Sequence, residues 1–144
     1  MRLIALILIL IAPTLAIADK YDPFKTVSAA GAFATVIIMR DYLKLTPCNY
    51  IPIEGESPKI TVEFILSKVL NSLQSQDRSN LEEVWKEMEQ EMHSKAQQNF
   101  NTYFEMFSAK VDEKTACGLT FGSLMADIRD REEAFYSALK EFGN

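Results

Sequence analysis

Residues 27–45 form one stretch whose side chains are so uniformly apolar that any fold of this chain must surround it. A helix that is apolar on nearly all sides has to be buried among other elements. The 14 residues between Lys25 and Arg40 are too few to cross a bilayer, which takes about 20. The stretch therefore predicts a central core helix and not a membrane span. Its polar side chains between those two cations are Thr26, Ser28 and Thr35.

The first 18 residues have the pattern of a cleaved signal peptide. Arg2 supplies a positive charge, residues 3–15 are apolar except at Pro13 and Thr14, and residues 16–18 read Ala-Ile-Ala, a small-x-small cleavage pattern. We therefore expect residues 1–18 to be removed and residues 19–144 to form one exported domain. No cysteine starts that domain, so a lipid anchor is not expected, and neither is a stable membrane anchor.

The remaining chain keeps all 20 acidic residues and 14 of the 15 basic ones, a formal net charge of −6. A nucleic-acid or anionic-lipid surface requires a basic patch. The charge balance therefore argues against those partners and favours a basic one. The length is sufficient for one domain with an apolar core.

Two cysteines, Cys48 and Cys117, stand alone in the chain with 68 residues between them. Exported proteins meet an oxidising compartment, where an isolated pair most often forms a structural disulfide. The spacing is far from any CxxC redox or zinc motif. We therefore predict one Cys48–Cys117 bridge.

Four helical stretches follow one another, and nowhere does apolar and polar alternation last long enough to predict a strand. The first helix should end at Thr46, since proline at the next position disfavours helix in the residue before it. Capping residues mark the other predicted ends. These are Ser57 with Pro58 for the second helix, Ser79 with Glu82 for the third, and Gly143 for the end of the fourth, which is predicted to begin at Asp112.

Short second and third connections predict an all-α bundle of four main helices in up-down-up-down order. In that order the end of the first helix and the start of the fourth lie at the same end of the bundle, where the two cysteines fall. If the first and fourth helices run antiparallel from the bridge, Gly118 and Gly122 should face the region of Tyr42 and Leu45.

No pattern in the chain points to catalysis, a metal or a cofactor. His93 is the only histidine, and the residue three positions earlier is glutamine, so a di-iron site with two Glu-x-x-His motifs is excluded. Met88 and Met92 with His93 could offer soft ligands to Cu(I). Methionines at this spacing are far more often core residues, and we expect neither a metal nor a cofactor.

Two surfaces are candidates for binding a partner. The third helix carries a dense acidic patch that includes Glu83 and Glu87 and could steer a basic partner. Residues 46–57 form a long connection with two prolines and one cysteine, and long irregular connections are often functional. The alternative is that its apolar side chains close the end of the bundle. The predicted binding residues are Asn49, Tyr50, Ile51, Ile53, Glu54, Glu56, Glu83 and Glu87.

At the level of architecture alone, a small exported helical domain with one bridge resembles periplasmic acid-stress chaperones and helical immunity proteins against cell-wall-degrading effectors. The first hypothesis is a non-enzymatic periplasmic protein that sequesters or inhibits a basic protein partner, as an immunity protein does. The second is a holdase chaperone or envelope-complex subunit. An enzyme is the least favoured class. Secretion from the cell and a homodimer remain alternatives.

Overall fold

The computed structural model of the protein describes residues 23–51 and 60–142. This part of the chain is all-α, contains no strand and holds the predicted disulfide, so the prediction of a helical bundle is confirmed. The signal-peptide segment 1–18 and Gly143 lie outside the described residues. None of the described helices combines the length and hydropathy needed to span a membrane. The helices are α1 (Pro23–Leu43), α2 (Val62–Ser72), α3 (Ser75–Ser108) and α4 (Glu113–Phe142).

The apolar helix α1 forms the centre of the bundle and contacts the three other helices. Phe33, Ile37 and Met39 are at most 1 % exposed, and the partner residues around them come from α2, α3 and α4. Burial of each such large side chain contributes about 1.5–3 kcal/mol. The predicted core helix is therefore present, and it ends at Leu43, three residues before Thr46.

Contacts at several positions along the bundle define the direction of α1 relative to the two long helices, α3 and α4. Lys25 pairs with Glu141, the rings of Phe33 and Phe135 lie 5.6 Å apart, and Cys48 bonds Cys117. Residue numbers rise on α1 as they fall on α4, so these helices are antiparallel. Toward α3, Gly31 lies at Met88 and the Tyr42 ring is 5.6 Å from the Phe100 ring, which makes α1 and α3 parallel. The up-down-up-down order of all four helices stays a prediction.

Two predicted helix starts are wrong. The second helix begins at Val62 and not at Pro58, because Thr61 is the N-cap, and its side chain accepts a hydrogen bond from the Phe64 N–H at 3.2 Å. Ser57 and Pro58 lie outside the described residues.

The third helix begins at Ser75, four residues before Ser79. The polar residues before Ser79 include Asp77 in the first turn, where a negative charge favours a helix. The Arg78 guanidinium also donates to the Leu73 carbonyl at 3.0 Å. The polar character of residues 75–78 indicated a connection, but these residues form the first turn of α3. The fourth start is confirmed: Asp112 caps α4 by accepting from the Thr115 N–H at 3.1 Å.

The predicted pairing of α4 glycines with large α1 side chains is also wrong. Gly118 and Gly122 are exposed, and a Cβ added at either would meet nothing within 4 Å. The glycine that permits a close approach is Gly31, where an added Cβ would lie 2.9 Å from the Met88 methyl carbon. The first helix, and not the fourth, therefore uses a missing side chain for packing.

Candidate functional site

The disulfide defines one end of the bundle, here called the disulfide end. Cys48 and Cys117 are fully buried, with an S–S distance of 2.03 Å and Cα atoms 5.3 Å apart. The bond joins the segment that follows α1 to the second turn of α4. The predicted bridge is confirmed, and it attaches the start of the 46–57 connection to the core.

Residues 44–51, which follow α1 and include the first part of that connection, form an ordered series of turns. Each of five backbone N–H groups, those of residues 44, 45, 46, 49 and 51, donates to the carbonyl three residues earlier, at 2.8–3.3 Å. The buried Thr46 hydroxyl donates to the Leu43 carbonyl at 2.6 Å and accepts from the Cys48 N–H at 3.2 Å. Backbone polar groups are thus satisfied locally, which gives this short segment a defined shape.

Arg40 anchors Ile60, which lies two residues before α2. The Arg40 side chain is 3 % exposed, and one guanidinium nitrogen donates to the carbonyl of Ile60 at 2.9 Å, while Nε lies 3.3 Å from the Asp41 carboxylate. Cys48, after α1, and Ile60, before α2, are therefore both attached to the core. Sequence reasoning treated Arg40 only as a cation that flanks the apolar stretch. Its position directly inside that stretch was the available signal, because a charge there must find buried acceptors.

The structure separates the predicted binding residues into two groups. Asn49 and Tyr50 are exposed at the disulfide end, whereas Ile51 is half-buried and packs against the core. Glu83 and Glu87 are exposed on α3, and Glu87 precedes Phe100 by 13 residues, or about 20 Å of helix. The two groups do not form one surface. Ile53, Glu54 and Glu56 lie outside the described residues.

Exposed apolar side chains concentrate around the disulfide end. Of the seven large apolar side chains exposed in the described residues, five belong to the segments that meet there. Leu45 and Tyr50 are 81 % and 50 % exposed. Apolar surface of this kind is a common mark of an interaction site. The remaining three of these five exposed side chains are Met106, Val111 and Leu119.

A cleft of about 530 Å³ opens beside this end, between α1, the start of α2 and α3. We call it the loop-base cleft because its lining includes Leu45, before the 46–57 connection, and Thr61, after it. The lining combines apolar side chains with three carboxylates and a histidine. It is lined by Ile38, Asp41, Tyr42, Leu45, Thr61, Val62, Glu63, Glu89, His93, Ser94 and Gln97.

A second depression, about 430 Å³, lies between α1, α3 and α4. We call it the methionine groove because Met39, Met88 and Met92 line it together with the small residues of α1. The Tyr103 hydroxyl donates to the Asp127 carboxylate across it at 2.8 Å. This hydrogen bond, then burial and the negative charge of Asp127, raise the pKa of Tyr103, against a smaller opposing effect of Arg131. The groove is lined by Ser28, Gly31, Ala32, Thr35, Val36, Met39, Met88, Glu91, Met92, Lys95, Asn99, Tyr103, Asp127 and Arg131.

The structure separates His93 from the two methionines of the Cu(I) hypothesis. Met88 and Met92 line the methionine groove, whereas His93 lines the loop-base cleft on another side of α3. Within the described residues, no group of three or more His, Cys, Asp or Glu side chains could hold a metal ion. What the described surface offers is apolar side chains, carboxylates and two clefts.

Comparison with protein-family models, curated proteins and solved structures found no match for this chain.

Proposed function

We propose that this chain is a non-enzymatic, exported binding protein. It holds another protein at its disulfide end. The observation that carries the proposal is the concentration of exposed apolar side chains there, with Leu45, Tyr50 and Leu119 as the main anchors. Such side chains cost little when they stay exposed singly, but together they supply the apolar centre that an interface needs.

The anchoring of residues 44–51 supports this proposal. Binding surfaces that are ordered before the partner arrives lose less conformational entropy on association. Here Cys48, the Thr46 hydroxyl and the series of turns hold Asn49 and Tyr50 in place. Tyrosine on a rigid segment is a favourable anchor because it offers a large contact area with few rotatable bonds.

The concrete version is a protein that sequesters or inhibits a basic partner, as an immunity protein does with a cell-wall-degrading effector. Net negative charge supports a basic partner, since complementary charge accelerates encounter. The disulfide and the signal-peptide pattern support the periplasm as its place of work.

Site-specific photo-crosslinking in cells of the source organism tests the proposal. A crosslinking amino acid at Tyr50 or at Leu119 should give one discrete adduct with a single protein. The matched control is Ser137, an exposed α4 position far from the disulfide end. Equal adducts at all three positions, or none at Tyr50 and Leu119, would remove the disulfide end as the binding site. A probe at Glu87 asks separately whether the acidic patch contacts the same partner.

A second candidate function, a holdase chaperone or envelope-complex subunit, is favoured by the methionine groove. Flexible methionine side chains accommodate varied apolar segments, and Met88 and Met92 border an open groove. Suppression of aggregation of two unrelated unfolding proteins would support this function. The substitution Ala32→Lys, which places a long cationic chain in the groove, should abolish that suppression, whereas Leu119→Ser should leave it unchanged. Lack of suppression by the native protein would exclude the holdase.

A further inference from the structure

We propose that the loop-base cleft is a subsite for one cationic side chain with an aliphatic stem, a lysine or arginine of the bound protein. This inference rests on the proposed function and specifies the chemistry of its partner. The cleft adjoins the disulfide end through Leu45, which belongs to both surfaces and is 81 % exposed. A partner seated on that end could therefore reach the cleft with one long side chain.

The charges of the lining select a cation. Three acids line the cleft, one from each surrounding helix, namely Asp41 of α1, Glu63 of α2 and Glu89 of α3, and among the described residues of the lining there is no lysine or arginine. Asp41 is already engaged by Arg40 at 3.3 Å and by Lys44 at 3.7 Å. Glu63 and Glu89 have no ion pair within 4 Å in the described residues. An incoming ammonium or guanidinium group would supply that missing positive charge.

The apolar residues of the lining select a long stem. Ile38, Tyr42, Leu45 and Val62 offer contact area to methylene groups. Lysine and arginine bury their stems on apolar surface while the charged head stays near polar groups. Both features of the lining are thus met by a single side chain of this type. A purely apolar side chain would leave the two carboxylates without a partner.

The test uses three small probes that separate stem from charge. Pentylguanidine has both, guanidinium has only the charge, and pentanol has only the stem. In ¹H–¹⁵N correlation spectra at pH 7.5 and low salt, pentylguanidine should shift the amides of residues 41–45, 61–63 and 89–97. Its affinity should exceed that of either other probe at least tenfold. Equal binding of pentanol, or shifts centred elsewhere, would overturn the proposal.

Matched variants of equal charge separate the cleft from the general field of the protein. Glu63→Gln with Glu89→Gln should weaken pentylguanidine binding at least fivefold. Glu83→Gln with Glu87→Gln removes the same charge outside the cleft lining and should change it less than twofold. Equal weakening by both glutamine pairs would contradict the proposal.

The outcome for the proposed function is separate. If crosslinking identifies a partner at Tyr50 and Leu119 but its affinity is unaffected by the Glu63 and Glu89 substitutions, the subsite is wrong and the function stands. If pentylguanidine binds as expected but no crosslinked partner exists, the subsite stands and the function is wrong.

Discussion

At the scale of single residues, two threonine hydroxyls differ in burial and in whether they have a hydrogen-bond partner. The Thr120 hydroxyl is completely buried and has no hydrogen-bond partner in the described residues. The half-buried Thr35 hydroxyl, also on a helix, donates to the Gly31 carbonyl at 2.8 Å. A buried polar group without a partner costs stability because it has lost its hydrogen bonds to water.

Thr120→Val should therefore raise the free energy of unfolding by about 1 kcal/mol. Valine has nearly the same shape but no hydroxyl to desolvate. Thr35→Val is the control and should leave stability unchanged or reduced, because it removes a satisfied hydroxyl. Urea unfolding followed by circular dichroism measures both. Destabilisation by Thr120→Val would mean that the hydroxyl has a partner in solution.

The hydrogen bond between Tyr103 and Asp127 should be visible as a pH effect. Because the pKa of Tyr103 is raised in the folded state, chiefly by this bond, its contribution to stability is complete below about pH 10. That contribution is lost as the pH rises through the folded-state pKa. Absorbance titration at 295 nm should show one tyrosine above the ordinary range, and Asp127→Asn should lower its pKa. A titration unaffected by Asp127→Asn would contradict the assigned cause.

At the scale of elements, helix α4 carries a local weakness that its packing does not require. Gly118 and Gly122 lie within the helix, are exposed, and have open space where a side chain would be. Glycine in a helix loses more backbone entropy on folding than alanine does. In α1, by contrast, Gly31 admits the Met88 methyl group, so that glycine contributes to packing.

Gly118→Ala and Gly122→Ala should each stabilise the protein by about 0.5–1 kcal/mol. Gly31→Ala should gain less or destabilise, because the Met88 methyl group would have to move from a distance of 2.9 Å. Thermal unfolding of the three variants gives the comparison. An equal gain at all three positions would show that the close approach of Met88 to α1 does not restrict residue 31.

At the scale of the whole molecule, one covalent bond connects the segment that follows α1 to the antiparallel helix α4, across a sequence separation of 69 residues. A closed loop of that length restricts the unfolded chain substantially. The bond also holds Asn49 and Tyr50 beside the exposed apolar residues of the disulfide end. Stability and the proposed interface are therefore coupled through the same bridge.

Replacing both cysteines by alanine should lower the free energy of unfolding by roughly 4 kcal/mol. Urea unfolding of the native protein with and without reductant provides the parallel measurement. The helical circular dichroism signal should persist at low temperature, because the core around α1 consists mainly of apolar side chains other than the two cysteines. A loss below about 1 kcal/mol would indicate that the unfolded chain is compact without the bridge.

The amino-acid sequence by itself determined the fold class, the buried first helix and the disulfide pairing. An apolar stretch must be covered, and two isolated cysteines have only one intramolecular partner each. These features depend on composition and order along the chain, and they need no knowledge of neighbouring helices. The Asp112 cap of α4 was predictable for the same reason, since its bonds to Thr115 are local.

Only the tertiary structure decided which surfaces could act together. It placed Glu83 and Glu87 away from Tyr50, turned Ile51 toward the core, and joined Asp41, Glu63 and Glu89 around one cleft. It also buried Arg40 against the Ile60 carbonyl. Rotation and spacing of packed helices determine such neighbours, and these follow from the whole core and not from any one segment.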